Sequence, residues 1–439
     1  MQVLIGMVLI ACLLGSNPSD RVPPNDLFGD LALAVVVLLA VPLAAGLQTL
    51  FCRRVLHSER WSRSARQRTL QRMMNVHLLL WACGAMVLLT TAHWPGIVRE
   101  NWDLDRWPLV DEFALFSPLA LSLVLSWALF YELGPTEGTF DLAARWRFVA
   151  LRFRLYFALT LVPLLGVCAL QDSGLDWDSL TLLESSLLAA ALGLIGMAGF
   201  PFVICWLWPS QPLDRNPLSR RLQQISKTHK LHLRGIRIWQ TNGQMLNAVL
   251  IGVLPGCRFL LLTDALVQRF PDDQIAAIVL HEAGHVRHHH LPIRIGFILV
   301  PLLMIASLDI QALDSLIPFS FAWLAVGYIT WWVVAFGWMS RGMEFEADLY
   351  ALRSLPADRR HSVVDALLTF GQSMPSQYHR GSITHPSLAA RIEFLTRAEE
   401  DPGWADRFCR RFHNQQIALA IGISAAFVAF RWIASLLGI

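Results

Sequence analysis

The stretch that decides the fold is His281-Glu282-Ala283-Gly284-His285. Two imidazoles four residues apart on a helix share one face and can grip a single metal ion, with the Glu282 carboxylate beside them. Upstream, Pro271-Asp272-Asp273 predicts the start of that helix, with Asp272 or Asp273 as its cap, and Ile275, Ile278 and Val279 supply an apolar face. Downstream comes an apolar tract long enough to cross a bilayer twice, followed by Glu344-Phe345-Glu346-Ala347-Asp348.

The rest of the chain agrees with a membrane setting. Of 439 residues, 55% are hydrophobic and only 16% charged, the profile of a multi-spanning membrane protein and not of several soluble domains. Apolar runs of spanning length occur near 30–51, 76–94, 113–132, 149–170, 186–208, 291–312, 319–339 and 416–437. The opening stretch 4–15 is either a ninth span or a signal-like segment. The net charge of +3 carries little information by itself, and no nucleic-acid partner is expected; Lys227 and Lys230 are the only lysines.

Sidedness follows from the arginines. Arg53, Arg54, Arg60, Arg63, Arg66, Arg68 and Arg72 follow the first run, and Arg145 and Arg147 precede the fourth, so both loops are expected in the cytoplasm. The intervening loops 100–112 and 171–184 are acidic. Alternation then places 209–290 in the cytoplasm, and the hairpin 291–339 returns 340–414 to the same side. Both halves of the metal motif therefore meet on one face, in what reads as a bacterial inner membrane.

Cys12, Cys52, Cys83, Cys168, Cys205, Cys257 and Cys409 are scattered with no C-x-x-C pair, which argues against a disulfide framework or a cysteine zinc site. Residues 212–290 read as a small soluble layer: a polar helix from Pro217 to His229, then strands Gly235 to Gln240, Leu246 to Ile251 and Arg258 to Thr263. Zinc takes nitrogen and carboxylate ligands tetrahedrally, and a catalytic site keeps one position open. One Zn2+ per chain is expected on His281, His285 and Glu344. Glu344 lies on a helix expected over 343–354, and Asp348 sits one turn later on its face, placed to orient a ligand histidine. Glu346 is about 200° around that helix from Glu344 and reads as structural or solvated. Glu282 is the expected general base, taking the proton of the attacking water and passing it to the leaving amine.

These residues resemble the integral-membrane zinc metallopeptidases that include the type I CAAX prenyl endopeptidase and the HtpX-type heat-shock proteases, which are gluzincins. The resemblance covers roughly 210–400. It is carried by His281 to His285, by Ser340-Arg341-Gly342-Met343-Glu344-Phe345-Glu346-Ala347-Asp348, and by Thr384-His385-Pro386-Ser387 with Arg391-Ile392. It implies that His385 stabilises the oxyanion, that Arg391 holds the Glu344 region or the substrate backbone, and that Asn247-Ala248 lies on the edge strand along which a peptide substrate extends. The family's membrane-enclosed members commonly have seven spans, and this chain offers eight or nine.

The expected architecture is thus a mostly α, polytopic membrane protein with a small cytoplasmic α+β gluzincin-type domain. N-terminal transmembrane helices occupy 1–208, the metallopeptidase domain 209–414 is interrupted by the hairpin 291–339, and a last transmembrane helix covers 415–439. The expected partners are the lipid bilayer and a peptide or membrane-protein substrate. Two other readings compete: a sensor-transducer membrane peptidase, and a transporter or scaffold with a fossil metal site. The metzincin pattern fails, because it needs a glycine and a histidine where this chain has His288 and Leu291. His288, His289 and His290 read as an interfacial polar cap, and Arg294 as an arginine snorkelling to the interface with no role in the site. Asp309 and Asp314 read as interfacial, and the arginines from Arg53 to Arg72 as topology determinants.

Overall fold

The computed structural model describes residue 8 and residues 23–56, 63–133, 141–173, 179–243, 245–306 and 320–437. Asp309, Asp314 and the stretch 4–15, save Val8, lie outside the described residues.

The chain divides into two compact units, the first made of Met1–Gly196 and Phe202–Pro209 and the second of Met197–Pro201 and Ser210–Ile439. In the first, α1 (Pro24–Leu56), α2 (Arg63–Thr90) and α3 (Val110–Phe130) pack around Trp81, Leu115, Leu119 and Leu123, all nearly sealed from solvent. The Trp81 indole N–H donates to the Leu119 carbonyl at 3.2 Å, which satisfies the one polar atom of that core residue. Helix α4 (Leu142–Arg152) continues through a π-helical turn into α5 (Leu159–Gln171). Helix α6 (Leu182–Leu207) opens with a reciprocal Thr181–Glu184 capping box.

Among the described residues five helical segments are long and apolar enough to cross a membrane: Asp26–Arg53, Arg72–Thr90, Val110–Phe130, Leu142–Leu170 and Leu183–Leu207. They match the first five expected spans. The expected hairpin is described only in part, as an apolar helix His290–Ala306 and a second, Ser320–Trp331, and the last expected span lies within a helix Pro402–Leu437.

The second unit contains a four-stranded sheet in the order β1 (Ser210–Pro212), β2 (Leu233–Trp239), β4 (Arg258–Thr263), β3 (Ala248–Ile251). Between β1 and β2 runs α7 (Pro217–Thr228), begun by Pro217 behind an Asn216 side chain that accepts from the Ser219 N–H. Strand β4 is wholly apolar and buried from Phe259 to Leu262, as expected of a central strand covered on both faces. Strand β3 pairs only with β4, antiparallel, and so forms an edge. The Thr263 N–H donates to the Asn247 carbonyl at 3.0 Å. The antiparallel alternation therefore turns the backbone groups of Ala248 and Leu250 toward the open side.

Against this sheet packs α8 (Asp272–Arg287), the helix of the H-E-x-x-H stretch. Its N-cap is Pro271, which offers no side-chain cap, so the expectation of an aspartate cap is corrected: Asp272 and Asp273 lie in the first turn, where their charge complements the helix dipole. Next come α9 (His290–Ala306) and α10 (Ser320–Trp331), then α11 (Gly337–Ser354), longer by six residues at its start than expected. Helix α12 (Leu388–Glu400) follows, and α13 (Pro402–Leu437) ends the chain.

Candidate metal centre

Helices α8 and α11 cross in unusually close contact, and the small residues at the crossing permit it. A Cβ added at Gly284 would lie 2.9 Å from the Ala347 Cα and 3.1 Å from its carbonyl oxygen. Ala347 is itself fully buried. The crossing brings one acceptor from α11 against two from α8. His281 Nε2 and His285 Nε2 are 3.2 Å apart, and Glu344 reaches each with a different oxygen at 3.6 Å. The three donor atoms lie within 4.8 Å of one another.

Two donors held about 2.0–2.1 Å from one tetrahedral ion lie roughly 3.4 Å apart, so the triangle has the dimensions zinc requires. The remaining nitrogens support that reading. His281 Nδ1 is 2.8 Å from Asp348 Oδ1, and His285 Nδ1 is 2.8 Å from His290 Nδ1. Each ring is thus anchored at Nδ1 and turns Nε2 inward. The residues present fit a divalent ion such as zinc.

Asp348 is clamped from its other side. Arg391, on α12, donates Nε to Oδ2 at 2.7 Å and Nη2 to Oδ1 at 2.6 Å, a bidentate pair, while its Nη1 is 3.8 Å from Glu344. Arg391 therefore holds Asp348 more firmly than it holds Glu344. His385 Nδ1 lies 3.2 Å from Glu344 Oε2, with the ring 57% exposed. Its loop is tight: the Ser382 N–H donates to the His385 carbonyl at 2.8 Å, the His385 N–H returns to Ser382 Oγ at 2.9 Å, and Ser387 caps α12. Any side chain at Gly381 would meet the His385 carbonyl oxygen at 2.7 Å.

Glu282 accepts from the Leu250 N–H at 3.3 Å, which puts its carboxylate at the open side of β3. Ala248 opens that strand, and Asn247 immediately precedes it, tied to Thr263 through both backbone groups. Burial raises the proton affinity of Glu282. For Glu344 burial acts the same way, but hydrogen bonds to His281 and His385 outweigh it and hold the carboxyl well below its usual value. Burial would lower His281, and the Asp348 carboxylate overcomes it, pushing the imidazole up to about 9. Asp348 is held down, against burial, by Arg391 and then by His281.

Two residues stand where the sequence did not put them, and a third takes one of the two places expected for it. Arg294 donates Nη2 to Glu344 Oε1 at 3.1 Å, so it faces the site and not the interface. His290 is 1% exposed and touches His285, so it is no part of a polar cap. Glu346, read as structural or solvated, is 8% exposed and so takes the first of these places, 3.2 Å from His290 Nε2.

Residues 212–399 match the family model described as peptidase family M48. Over 106 residues the chain is 27% identical to a protein named protease HtpX homolog from Helicobacter pylori (strain J99), an alignment that covers 23% of this chain and 34% of that relative. The match thus spans about a third of the curated relative's length. A crystal structure of S. mikatae Ste24p superposes with a TM-score of 0.48 at 15% identity, covering 85% of this chain and 99% of that one. The segment that is similar to peptidase family M48, 212–399, holds every residue of the triangle and its supports.

Proposed function

We propose that this protein is a membrane-embedded zinc metalloendopeptidase with its site on the cytoplasmic face of a bacterial inner membrane, acting in membrane-protein quality control or peptide processing. The observation that carries the reading is the triangle of half-buried His281 and His285 with buried Glu344, beside Glu282 and an open strand edge. These three residues would hold one Zn2+, which when bound makes water a nucleophile near neutral pH and polarises a carbonyl.

The chain's own groups supply the rest. An extended peptide adds to β3 through the outward backbone groups of Ala248 and the Leu250 carbonyl, the Leu250 N–H being held by Glu282, a mode that reads main chain and leaves side-chain preference loose. Glu282, beside that edge, accepts the proton of the attacking water and delivers it to the leaving amine. Its burial favours proton uptake. His385, whose side chain is 57% exposed and so open to a substrate, donates to the developing oxyanion. Arg391 and Asp348 keep His281 in the tautomer that presents a bare Nε2.

Zinc content and turnover measured together test this. Glu282→Gln should keep zinc and lose cleavage of a flexible peptide, while His281→Ala, His285→Ala and Glu344→Ala should lose both. Full zinc in Glu344→Ala would overturn the choice of third ligand. Undiminished cleavage by Glu282→Gln would remove the proposed base.

A further inference from the structure

The support behind His281 has a counterpart behind His285, built from residues of a different helix. After α8 ends at Arg287 the chain turns through His289, whose φ of 55° is left-handed, and restarts as α9 at His290. The turn folds His290 back under His285. Their Nδ1 atoms are 2.8 Å apart, and His290 Nε2 is 3.2 Å from Glu346 Oε2. Both supporting side chains are buried, so each of these contacts must pair a donor with an acceptor.

That requirement fixes every proton in the chain. Ionised Glu346 only accepts, so His290 donates from Nε2. Neutral His290 then carries a lone pair at Nδ1 and accepts from His285 Nδ1–H. His285 in turn has a bare Nε2 facing the triangle. The opposite order would protonate His285 Nε2 and close the position to a metal. We propose that Glu346 and His290 are positioning residues that lock His285 in its metal-binding tautomer, a role that neither the H-E-x-x-H pattern nor the Glu344 and Asp348 pair assigns. It rests on the zinc reading above.

The geometry also explains why two acidic residues two apart on α11 are both buried. Glu344 faces α8 and the triangle, whereas Glu346 turns to the start of α9 and reaches the same site from behind. A carboxylate, an imidazole and the ligand imidazole form a relay, where His281 has its carboxylate directly.

The test uses the full chain in detergent, with zinc affinity measured by competition against a chromophoric chelator and the melting temperature of the zinc-free protein measured in parallel. His290→Leu removes the acceptor and should weaken zinc binding roughly 10- to 100-fold. His290→Asn places a carbonyl oxygen near the Nδ1 position and should restore affinity to within a few-fold of the wild type. Glu346→Leu, which keeps a similar volume and removes the acceptor opposite His290 Nε2, should lose roughly 10-fold and serves if His290→Leu does not fold. Wild-type affinity in His290→Leu or, where that variant does not fold, in Glu346→Leu would overturn the positioning role and leave the zinc reading standing. Equal loss in His290→Leu and His290→Asn, tracking a drop in zinc-free melting temperature, would reduce His290 to packing and overturn it as well. A wild-type protein that binds no zinc would overturn both readings at once.

Discussion

Gly284→Ala separates two forces of opposite sign. In an exposed helix interior, alanine is more favourable than glycine by about 1 kcal/mol, so propensity alone predicts a more stable protein. The crossing with α11 predicts the reverse. The added Cβ would sit 2.9 Å from the Ala347 Cα and 3.1 Å from the Tyr350 Cβ, and carbon atoms rest at about 3.5–4.0 Å. Because the obstacle at Ala347 is backbone, the helices must part by roughly 0.6–1 Å. Overpacking of this kind costs about 1–3 kcal/mol, which cancels or exceeds the propensity gain.

The metal centre is the more sensitive reporter. His285 adjoins Gly284 on one helix, and Glu344 lies one turn from Ala347 on the other, so any parting acts directly on the ligand triangle. Metal–ligand distances tolerate only about ±0.2 Å, so zinc affinity should fall at least roughly 10-fold, or about 1.4 kcal/mol. Chelator competition on the detergent-solubilised protein measures the affinity, and thermal scans of the zinc-loaded and zinc-free forms measure stability. Gly296→Ala is the control, since a Cβ there meets nothing within 4 Å. A Gly284→Ala protein with wild-type zinc affinity and a raised melting temperature would refute the close-contact reasoning.

Removing zinc should make stability depend on pH through His281. Its folded pKa is raised to about 9 against an ordinary value of 6.5, so its contribution is complete below the ordinary value and is lost as pH rises through about 9. Melting of the chelator-treated protein should therefore fall across that window, and zinc should flatten the curve by replacing the proton; a rise with pH would contradict the assignment. Leu250→Pro removes the N–H that Glu282 accepts and breaks the open edge, so cleavage should drop sharply with zinc content intact. Equal cleavage would place substrate elsewhere than β3. Single cysteines at 220–230, on a cysteine-free background, should resist an impermeant thiol reagent in intact cells while cysteines at 100–112 react, and labelling at 220–230 would reverse the proposed sidedness.

Helical period explains both what could be read in advance at this site and what could not. His281 and His285 share a face by spacing alone, and Asp348 follows Glu344 by one turn, so the sequence was enough to expect the two clusters that the crossing of α8 and α11 brings together. The three strands were likewise marked by apolar runs between turns, and Arg258–Thr263 is observed with the expected bounds. Period describes one helix at a time, however. It put Glu346 on the side away from Glu344 and could not know that a second helix covers that side. Whether α9 does so depends on the left-handed turn at His289, a backbone choice that three consecutive histidines do not signal. Once that turn is made, one decision places two residues: His290 comes under His285, and Arg294, one helical turn further along α9, reaches Glu344. A hydropathy reading sends Arg294 to the membrane surface because it asks only where a charge finds water. In the folded protein the charge finds a buried carboxylate, and the Glu344 side chain, 3% exposed, has Arg294, Arg391 and His385 within 4 Å to offset the cost of its burial.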